Sequence, residues 1–262
     1  MPGGIKHRNL LDFNFCQPNP AYMYLLLLAL APAIIIMMYV YYRDRYEKEP
    51  VKLILKGILL GAIIIFPVGL VENLILEYGK LFEPIAKAAW DGFVAAGATE
   101  EAFKYLMVFI LIWRNPNFNE KFDGIVYAVS VSLGFAAIEN LFYVFSQNSI
   151  QVGLLRAFTA VPGHTIFGIV MGFYLGLARF SKQNKGKWLL KAFLVPWLLH
   201  GTYDFMIMSG YPLLILTFIP FLIFMYRFGL KRMREFNEQS VFRPANIDFM
   251  IHQENHFKEE ES

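Results

Sequence analysis

The chain has 262 residues, of which 56% are hydrophobic and only 17% are charged, whereas soluble domains carry about a quarter charged residues. The charges cluster in short stretches between long apolar runs, which predicts a polytopic membrane protein and excludes an ordinary soluble domain. The net charge of +3 is small, and its basic residues fall in loops, so no nucleic-acid partner is expected. The single cysteine, Cys16, excludes an internal disulfide and a thiolate metal cage.

Apolar runs long enough to cross a bilayer follow one another with short connections, which predicts an all-α membrane bundle of about seven transmembrane helices. The predicted spans are Tyr22–Tyr42, Val51–Leu76, Ile85–Trp113, Ile125–Phe145, Leu154–Leu177, Trp188–Met208 and Tyr211–Tyr226. The chain divides into a polar N-terminal arm (1–21), the bundle (22–230) and a polar tail (231–262). The third run is long, and it fits either a tilted helix or a helix preceded by a re-entrant segment.

Lysine and arginine residues are unevenly distributed between the two sets of loops. The segments that follow the odd-numbered spans hold fifteen of them, against five in the opposite set. Because cytoplasmic loops carry an excess of basic residues, we expect the N-terminus outside the cell membrane and the C-terminus in the cytoplasm.

Ionised groups lie inside the third run, where Glu100, Glu101 and Lys104 stand among apolar residues. Charge at that depth costs several kcal/mol unless it is paired or faces water, which favours a functional role. On a helix both glutamates reach Lys104, yet they point about 100° apart. We therefore expect one carboxylate to pair with Lys104 and the other to face a cavity as a general base.

Three further spans carry polar residues. The fourth has Glu139 and Asn140, the fifth has His164, and the sixth has His200 and Asp204. Asp204 follows His200 by one helical turn, where it can accept a hydrogen bond from the ring. At 1.5 Å per residue all these groups fall in a band from the bilayer middle into its outer half. This agreement predicts one cavity that admits water from the outside.

Small residues and a proline shape the fifth span. Gly168, Gly172 and Gly176 share one helix face, which predicts close packing against a neighbouring helix. Pro162 and Gly163 predict a kink immediately before His164. In the second span, Glu72 lies near the outer end and is expected to be solvated.

The polar motifs on these successive spans, taken in chain order, resemble those of the PrsW family of intramembrane proteases. The resembling set is Glu100-Glu101-x-x-Lys104, Phe135-x-x-x-Glu139-Asn140, His164 and His200-x-x-x-Asp204, preceded by a signature-like stretch from Asp44 to Pro50. That family is distantly similar to the CAAX-processing proteases. Lys104 in place of an arginine, and Glu139 where a histidine is usual, argue against prenyl-peptide cleavage.

The resemblance implies hydrolysis of a peptide bond in a single-span, membrane-anchored regulatory protein, such as an anti-sigma factor of stress signalling, on the extracytoplasmic side. In the leading mechanism Glu100 or Glu101 is the general base, and His164 or His200 assists water activation or stabilises the oxyanion. Lys104 balances the carboxylate charge. In the metal alternative, the two histidines with Glu139 or Asp204 hold a divalent ion such as zinc and leave one position for water.

Two other classes of protein also fit the pattern. A proton- or cation-coupled transporter carries acidic residues and histidines near the midplane, and a non-enzymatic scaffold uses polar groups to join helices. A hydrolase brings its groups together within a few Å, whereas a proton relay spaces them along a path. The separation of the four polar sets therefore discriminates between these classes.

Overall fold

The computed structural model describes residues 20–247, and every regular element in that range is helical, which confirms the all-α class. The elements are α1 (Pro20–Arg43), α2 (Val51–Gly79), α3 (Pro84–Ala89), a π-helical segment (Trp90–Ala98), α4 (Thr99–Ile112), α5 (Lys121–Gln147), α6 (Ile150–Phe158), α7 (Ala160–Phe180), α8 (Lys185–Met208) and α9 (Pro212–Glu238). Most of the predicted N-terminal arm, including Cys16, and residues 248–262 of the predicted tail lie outside the described residues.

Within residues 20–247, five helical stretches are long and apolar enough to cross a membrane. They are Tyr22–Arg43, Val51–Gly79, Lys121–Gln147, Ile150–Phe180 and Pro212–Glu238. The predicted count of about seven is therefore not confirmed. The third and sixth predicted spans are helical but are not among the five, and they are the two that carry the charged groups around Glu100 and the His200–Asp204 pair.

The centre of the bundle is formed by α5 and α7. In the most apolar windows of α5 and of the α6–α7 stretch, 72% and 83% of the residues are buried, against 17% for α9. Large apolar side chains on the outer face of α2, such as Leu55 and Phe66, are more than half exposed. Such an apolar surface is compatible with the lipid hydrocarbon of a bilayer rather than with water.

Glycines allow α5 and α7 to approach each other closely. A Cβ atom on Gly172 would lie 2.2 Å from the carbonyl oxygen of Gly124. Cβ atoms on Gly168 and Gly176 would also meet α5, at 3.0 and 2.5 Å. The predicted packing face of the fifth span is therefore confirmed, and its partner is α5.

The third predicted span is one continuous helical stretch that widens to a π-helix over Trp90–Ala98. This segment packs against α8, because a Cβ atom on Gly92 would lie only 2.8 Å from the backbone nitrogen of Phe205. The indole nitrogen of Trp197 donates to the carbonyl oxygen of Phe93 at 2.6 Å. The π-helical turn ends where the charged residues of α4 begin, and such turns are frequent at functional sites.

The interruption of the fifth span lies earlier than predicted. α6 ends at Phe158, and Thr159 leaves helical geometry with φ −121° and ψ −65°. The kink predicted at Pro162 and Gly163 is therefore wrong in position. Pro162 lies in the first turn of α7, where its missing N–H is not needed, and α7 continues unbroken through His164.

The last helix runs through Glu238 instead of ending at Tyr226. Met233 and Phe236 continue its apolar face and are 1% exposed. Beyond the helix, the Ser240 hydroxyl donates to Glu120 at 2.5 Å. The first part of the predicted polar tail therefore packs against the bundle.

The connection between α1 and α2 carries buried acidic side chains. Asp44 and Glu49 are almost fully buried. Burial raises the pKa of both carboxyls to about 7, and the nearby carboxyl of Asp123 adds to the effect on Asp44. The connection rests against the beginning of α5, where the Tyr127 hydroxyl donates to Glu49.

A methyl group between α5 and α7 should loosen the bundle. We expect Gly172→Ala to destabilise the protein by about 1–3 kcal/mol, because the added carbon overlaps the backbone of α5. Gly186→Ala is the matched control, since a Cβ atom there meets no described residue within 4 Å. Thermal unfolding of both purified variants measures the difference. Equal midpoints for Gly172→Ala and wild type would contradict this packing.

Candidate active site

A buried lysine holds together the charged residues of α4. Its ammonium nitrogen lies 2.8 Å from Glu100 Oε2 and 2.9 Å from Glu101 Oε1. Glu100, Glu101 and Lys104 are all buried, at 5%, 0% and 1% exposure. The expectation that only one glutamate pairs with Lys104 is therefore wrong. The one-turn spacing lets a single ammonium reach both carboxylates.

Two histidines join this group from neighbouring helices. The Lys104 ammonium lies 3.1 Å from His164 Nδ1 on α7, and His200 Nδ1 on α8 lies 3.0 Å from Glu101 Oε1. The centroids of the two imidazole rings are 5.2 Å apart. Three predicted polar sets thus converge within a few Å, as a hydrolase requires and a linear relay does not.

Each histidine has a carboxylate at its other ring nitrogen. His164 Nε2 lies 2.9 Å from Glu139 Oε2, and His200 Nε2 lies 3.3 Å from Asp204 Oδ2. Carboxylates in such positions fix the orientation and tautomer of an imidazole. The predicted contact between His200 and Asp204 is therefore present, and Glu139 makes the equivalent contact with His164.

Four of these residues form a group that can hold a metal ion. Glu100, Glu101, His164 and His200 each offer one ligand atom, and these atoms lie within 4.8 Å of one another. The second carboxylate oxygen of Glu101 is buried and has no hydrogen-bond partner among the described residues. Imidazole nitrogens with carboxylate oxygens are ligands that suit zinc. Glu139, which the sequence placed in the metal set, lies outside this group.

An arginine that the sequence did not single out holds Glu139. Arg156 on α6 donates to Glu139 Oε2 at 2.7 Å and to Asn140 Oδ1 at 2.8 Å. The amide nitrogen of Asn140 donates in turn to the carbonyl oxygen of Ala29 on α1. Asn140 therefore lies beside the His164 partner rather than among the four clustered residues. No local spacing links Arg156 to Glu139, which precedes it by 17 residues.

Aromatic rings pack against the group. The Lys104 ammonium lies 4.3 Å from the centroid of the Phe135 ring, and the Phe167 ring stacks on His200 at 4.7 Å. These rings reduce the local dielectric constant, which strengthens every charge interaction in the group. Ser132 on α5 donates to the carbonyl oxygen of His164 at 2.6 Å and joins α5 to α7 at this level.

A cavity of about 310 Å³ adjoins the group, and Glu100, Glu139, His164, His200 and Asp204 are in its wall. Two more acids line it. Glu72 is half-buried with one oxygen unpartnered, so the expectation of a solvated Glu72 is wrong. Asp91 also lines it and pairs with Lys87. The only sequence signal for Glu72 was that Glu72-Asn73 repeats Glu139-Asn140.

A helical membrane bundle with two glutamates, two histidines and a lysine buried beside a cavity is the arrangement of an intramembrane hydrolase. A protein-family model described as "PrsW family intramembrane metalloprotease" matches residues 49–228. The chain belongs to this family, as the motifs predicted, and it is a multi-pass membrane metalloprotease. The alternatives of a transporter and of a non-enzymatic scaffold are set aside.

Curated relatives agree with this assignment. Protease PrsW of Clostridioides difficile (strain 630) is 36% identical over 209 residues, which cover 78% of this chain and 87% of the relative. Protease PrsW of Bacillus subtilis (strain 168) is 36% identical over 201 residues, which cover 76% and 89%. No solved structure matches the chain. Of the two mechanisms that the sequence left open, the family description supports the one with a metal ion.

Removal of the buried ammonium should unfold the centre of the bundle. We expect Lys104→Met to cost about 3–5 kcal/mol, because two buried carboxylates lose their counter-charge. Lys87→Met breaks the Lys87–Asp91 pair, in which the lysine side chain is 41% exposed, and should cost about 1 kcal/mol or less. Thermal unfolding of both variants in the same detergent provides the comparison. Similar losses in the two variants would refute a special role for Lys104.

Proposed function

We propose that this metalloprotease cleaves a single-span, membrane-anchored regulatory protein, such as an anti-sigma factor, and that its site opens to the extracytoplasmic side. The convergence of Glu100, Glu101, His164 and His200 beside a cavity is the observation that carries the proposal. The curated relatives are named as proteases, which supports a protein substrate.

His164, His200 and Glu101 are the proposed metal ligands. Glu101 replaces Glu139 in the set because its ligand atom lies within 4.8 Å of those of both histidines, while Glu139 is engaged by Arg156. Two imidazoles and one carboxylate leave a position for water. A bound zinc-type ion supplies Lewis-acid activation of that water and of the scissile carbonyl.

Glu100 is the proposed general base. It is the member of the glutamate pair that lines the cavity, so its carboxylate can take the proton from the attacking water and deliver it to the leaving amine. Lys104 holds Glu100 in place and balances the charge of the pair. Glu139 and Asp204 fix the two imidazole rings, and Arg156 compensates the charge of Glu139.

The size of the cavity limits the form in which a substrate enters. A volume of about 310 Å³ holds a few side chains, whereas a helix is about 10 Å across with its side chains. A spanning substrate must therefore unwind locally before its peptide bond reaches Glu100. Cleavage near the end of a span, where helices fray, fits this requirement.

The charge of the loops supports the proposed orientation. The excess of basic residues lies at the ends of α1, α4, α7 and α9, which supports a cytoplasmic position for these ends. The cavity-lining residues Glu72 and Asp91 then lie toward the outer surface, near the connection between α2 and α3.

Separate variants distinguish the metal ligands from the general base. We expect His200→Ala to lose both the bound metal and cleavage of a single-span reporter protein. Glu100→Gln should keep the metal and slow cleavage by about 10²–10⁴-fold, as is typical when a general base is removed. Metal analysis of the purified proteins and a gel-based cleavage assay measure the two effects.

Glu77→Gln is the matched control, because Glu77 is an exposed carboxylate on α2 whose one ion pair within residues 20–247 is with Lys80. It should retain metal and wild-type activity. Wild-type cleavage by Glu100→Gln would reject the proposed base, and full metal content in His200→Ala would reject the proposed ligand set.

Cysteine labelling tests the proposed orientation of the protein in the membrane, with the single native cysteine first removed by Cys16→Ser. A membrane-impermeant maleimide applied to intact cells should label Lys80→Cys, which lies in an exposed position between α2 and α3. Lys182→Cys, exposed between α7 and α8, should be labelled only after lysis. The reverse pattern would place the candidate active site toward the cytoplasm.

A further inference from the structure

A second group of acidic side chains lies at the other end of the bundle. Glu47 and Glu49 belong to the connection between α1 and α2, and Asp123 lies in the first turn of α5. One carboxylate oxygen from each lies within 4.8 Å of the others. Along α5, Asp123 and Glu139 are 16 residues apart, or about 24 Å. This acidic cluster is therefore separate from the candidate active site.

Basic side chains do not compensate the acidic cluster. In the described part of the chain, none of its three carboxylates forms an ion pair with a lysine, arginine or histidine. Lys48 stands between the two glutamates but donates to the backbone carbonyl oxygens of Tyr41 and Asp44. Three carboxylates this close repel one another unless a positive charge lies between them.

Each carboxylate of the cluster is held in place through one oxygen. Glu49 Oε2 accepts from the Tyr127 hydroxyl, and Glu47 Oε1 accepts from the amide nitrogen of Asn119 at 2.9 Å. Asp123 Oδ2 accepts from the backbone N–H of Asn119 at 2.8 Å. These hydrogen bonds fix the orientation of the carboxylates and use only half of their oxygens.

The other oxygens of the same carboxylates are buried and receive no hydrogen bond from the part of the chain that the structure describes. They are Glu47 Oε2, Glu49 Oε1 and Asp123 Oδ1. The residues Glu49 and Asp123 are 2% and 0% exposed, so water does not reach these atoms freely. A buried carboxylate oxygen without a partner is costly, and three of them in one place call for a shared ligand of positive charge.

We propose that Glu47, Glu49 and Asp123 bind one hard divalent cation, Ca²⁺ or Mg²⁺. All three ligands are oxygens, which these ions prefer, whereas the candidate active site contains two imidazoles and suits zinc. Glu47 is only partly buried and gives the ion a route of entry. A bound ion fastens the α1–α2 connection to the beginning of α5, which is a stabilising role independent of proteolysis.

Thermal unfolding with added cations tests the proposal. The purified protein is exchanged, without a chelator, into buffer free of Ca²⁺ and Mg²⁺ and then titrated with each ion separately. We expect one of the two ions to raise the unfolding midpoint saturably, by about 5 °C or more at high occupancy. Glu47→Gln should weaken the apparent affinity for that ion at least tenfold.

Glu238→Gln is the control, since Glu238 is an exposed acid near the same end of the bundle and should respond like wild type. Glu49→Gln, with equilibrium dialysis of Ca²⁺ or Mg²⁺ against folded protein, checks the result if Glu47→Gln unfolds. The proposal fails if neither ion shifts the wild-type midpoint. It also fails if the glutamine variants are more stable than wild type without any ion dependence, which would show that protons neutralise the cluster.

Discussion

The Lys104 ammonium is within 3.1 Å of Glu100, Glu101 and His164, and this buried ion network constrains the remainder of the structure. In an apolar bundle, a charge left without a partner costs several kcal/mol. The lysine and both glutamates come from one helix, while the histidines come from α7 and α8. The network is satisfied only when three helices are in register. Apolar packing alone specifies register weakly, so the polar centre distinguishes this arrangement from alternative packings of the same helices.

Small residues set the distances over which this network forms. Gly172 and Gly124 bring the backbones of α7 and α5 together, and the Ser132–His164 hydrogen bond fixes their register beside the histidine. On the other side, Gly92 lets the π-helical segment approach α8. The proposed catalytic groups thus lie on helices rather than on loops, and helices hold side chains more precisely than loops do.

Local periodicity explains which features the sequence could predict. The Glu100–Lys104 and His200–Asp204 neighbourhoods follow from one-turn spacing on a helix, and the glycine face of α7 follows from the same rule. The Arg156–Glu139 ion pair joins residues on different helices, so helical periodicity in the sequence does not predict it. Likewise, no periodicity in the sequence marks the break at Thr159, where φ is −121°.

The polar residues that reveal the site in the sequence also make the membrane spans difficult to count. Charged and polar residues lower the hydropathy of the third and sixth runs, and these residues are the ones that meet in the centre of the bundle. A measure based on apolar length accepts α1, α2 and α9, and it also accepts α5 and the α6–α7 stretch, which are mostly buried. It leaves out the third and sixth runs, because it counts their charged residues as unfavourable and does not register partners on other helices.

The geometry of one helix also accounts for the difference between the two adjacent glutamates. Consecutive residues are turned about 100° from each other, so Glu100 and Glu101 share the Lys104 ammonium but have different surroundings. Glu100 borders the cavity, whereas Glu101 is fully buried, lies beside His200 and keeps one oxygen unpartnered. A proton acceptor must reach incoming water, and a metal ligand must be held in a fixed orientation. A pair of identical side chains can therefore serve both needs because the helix presents them in different directions.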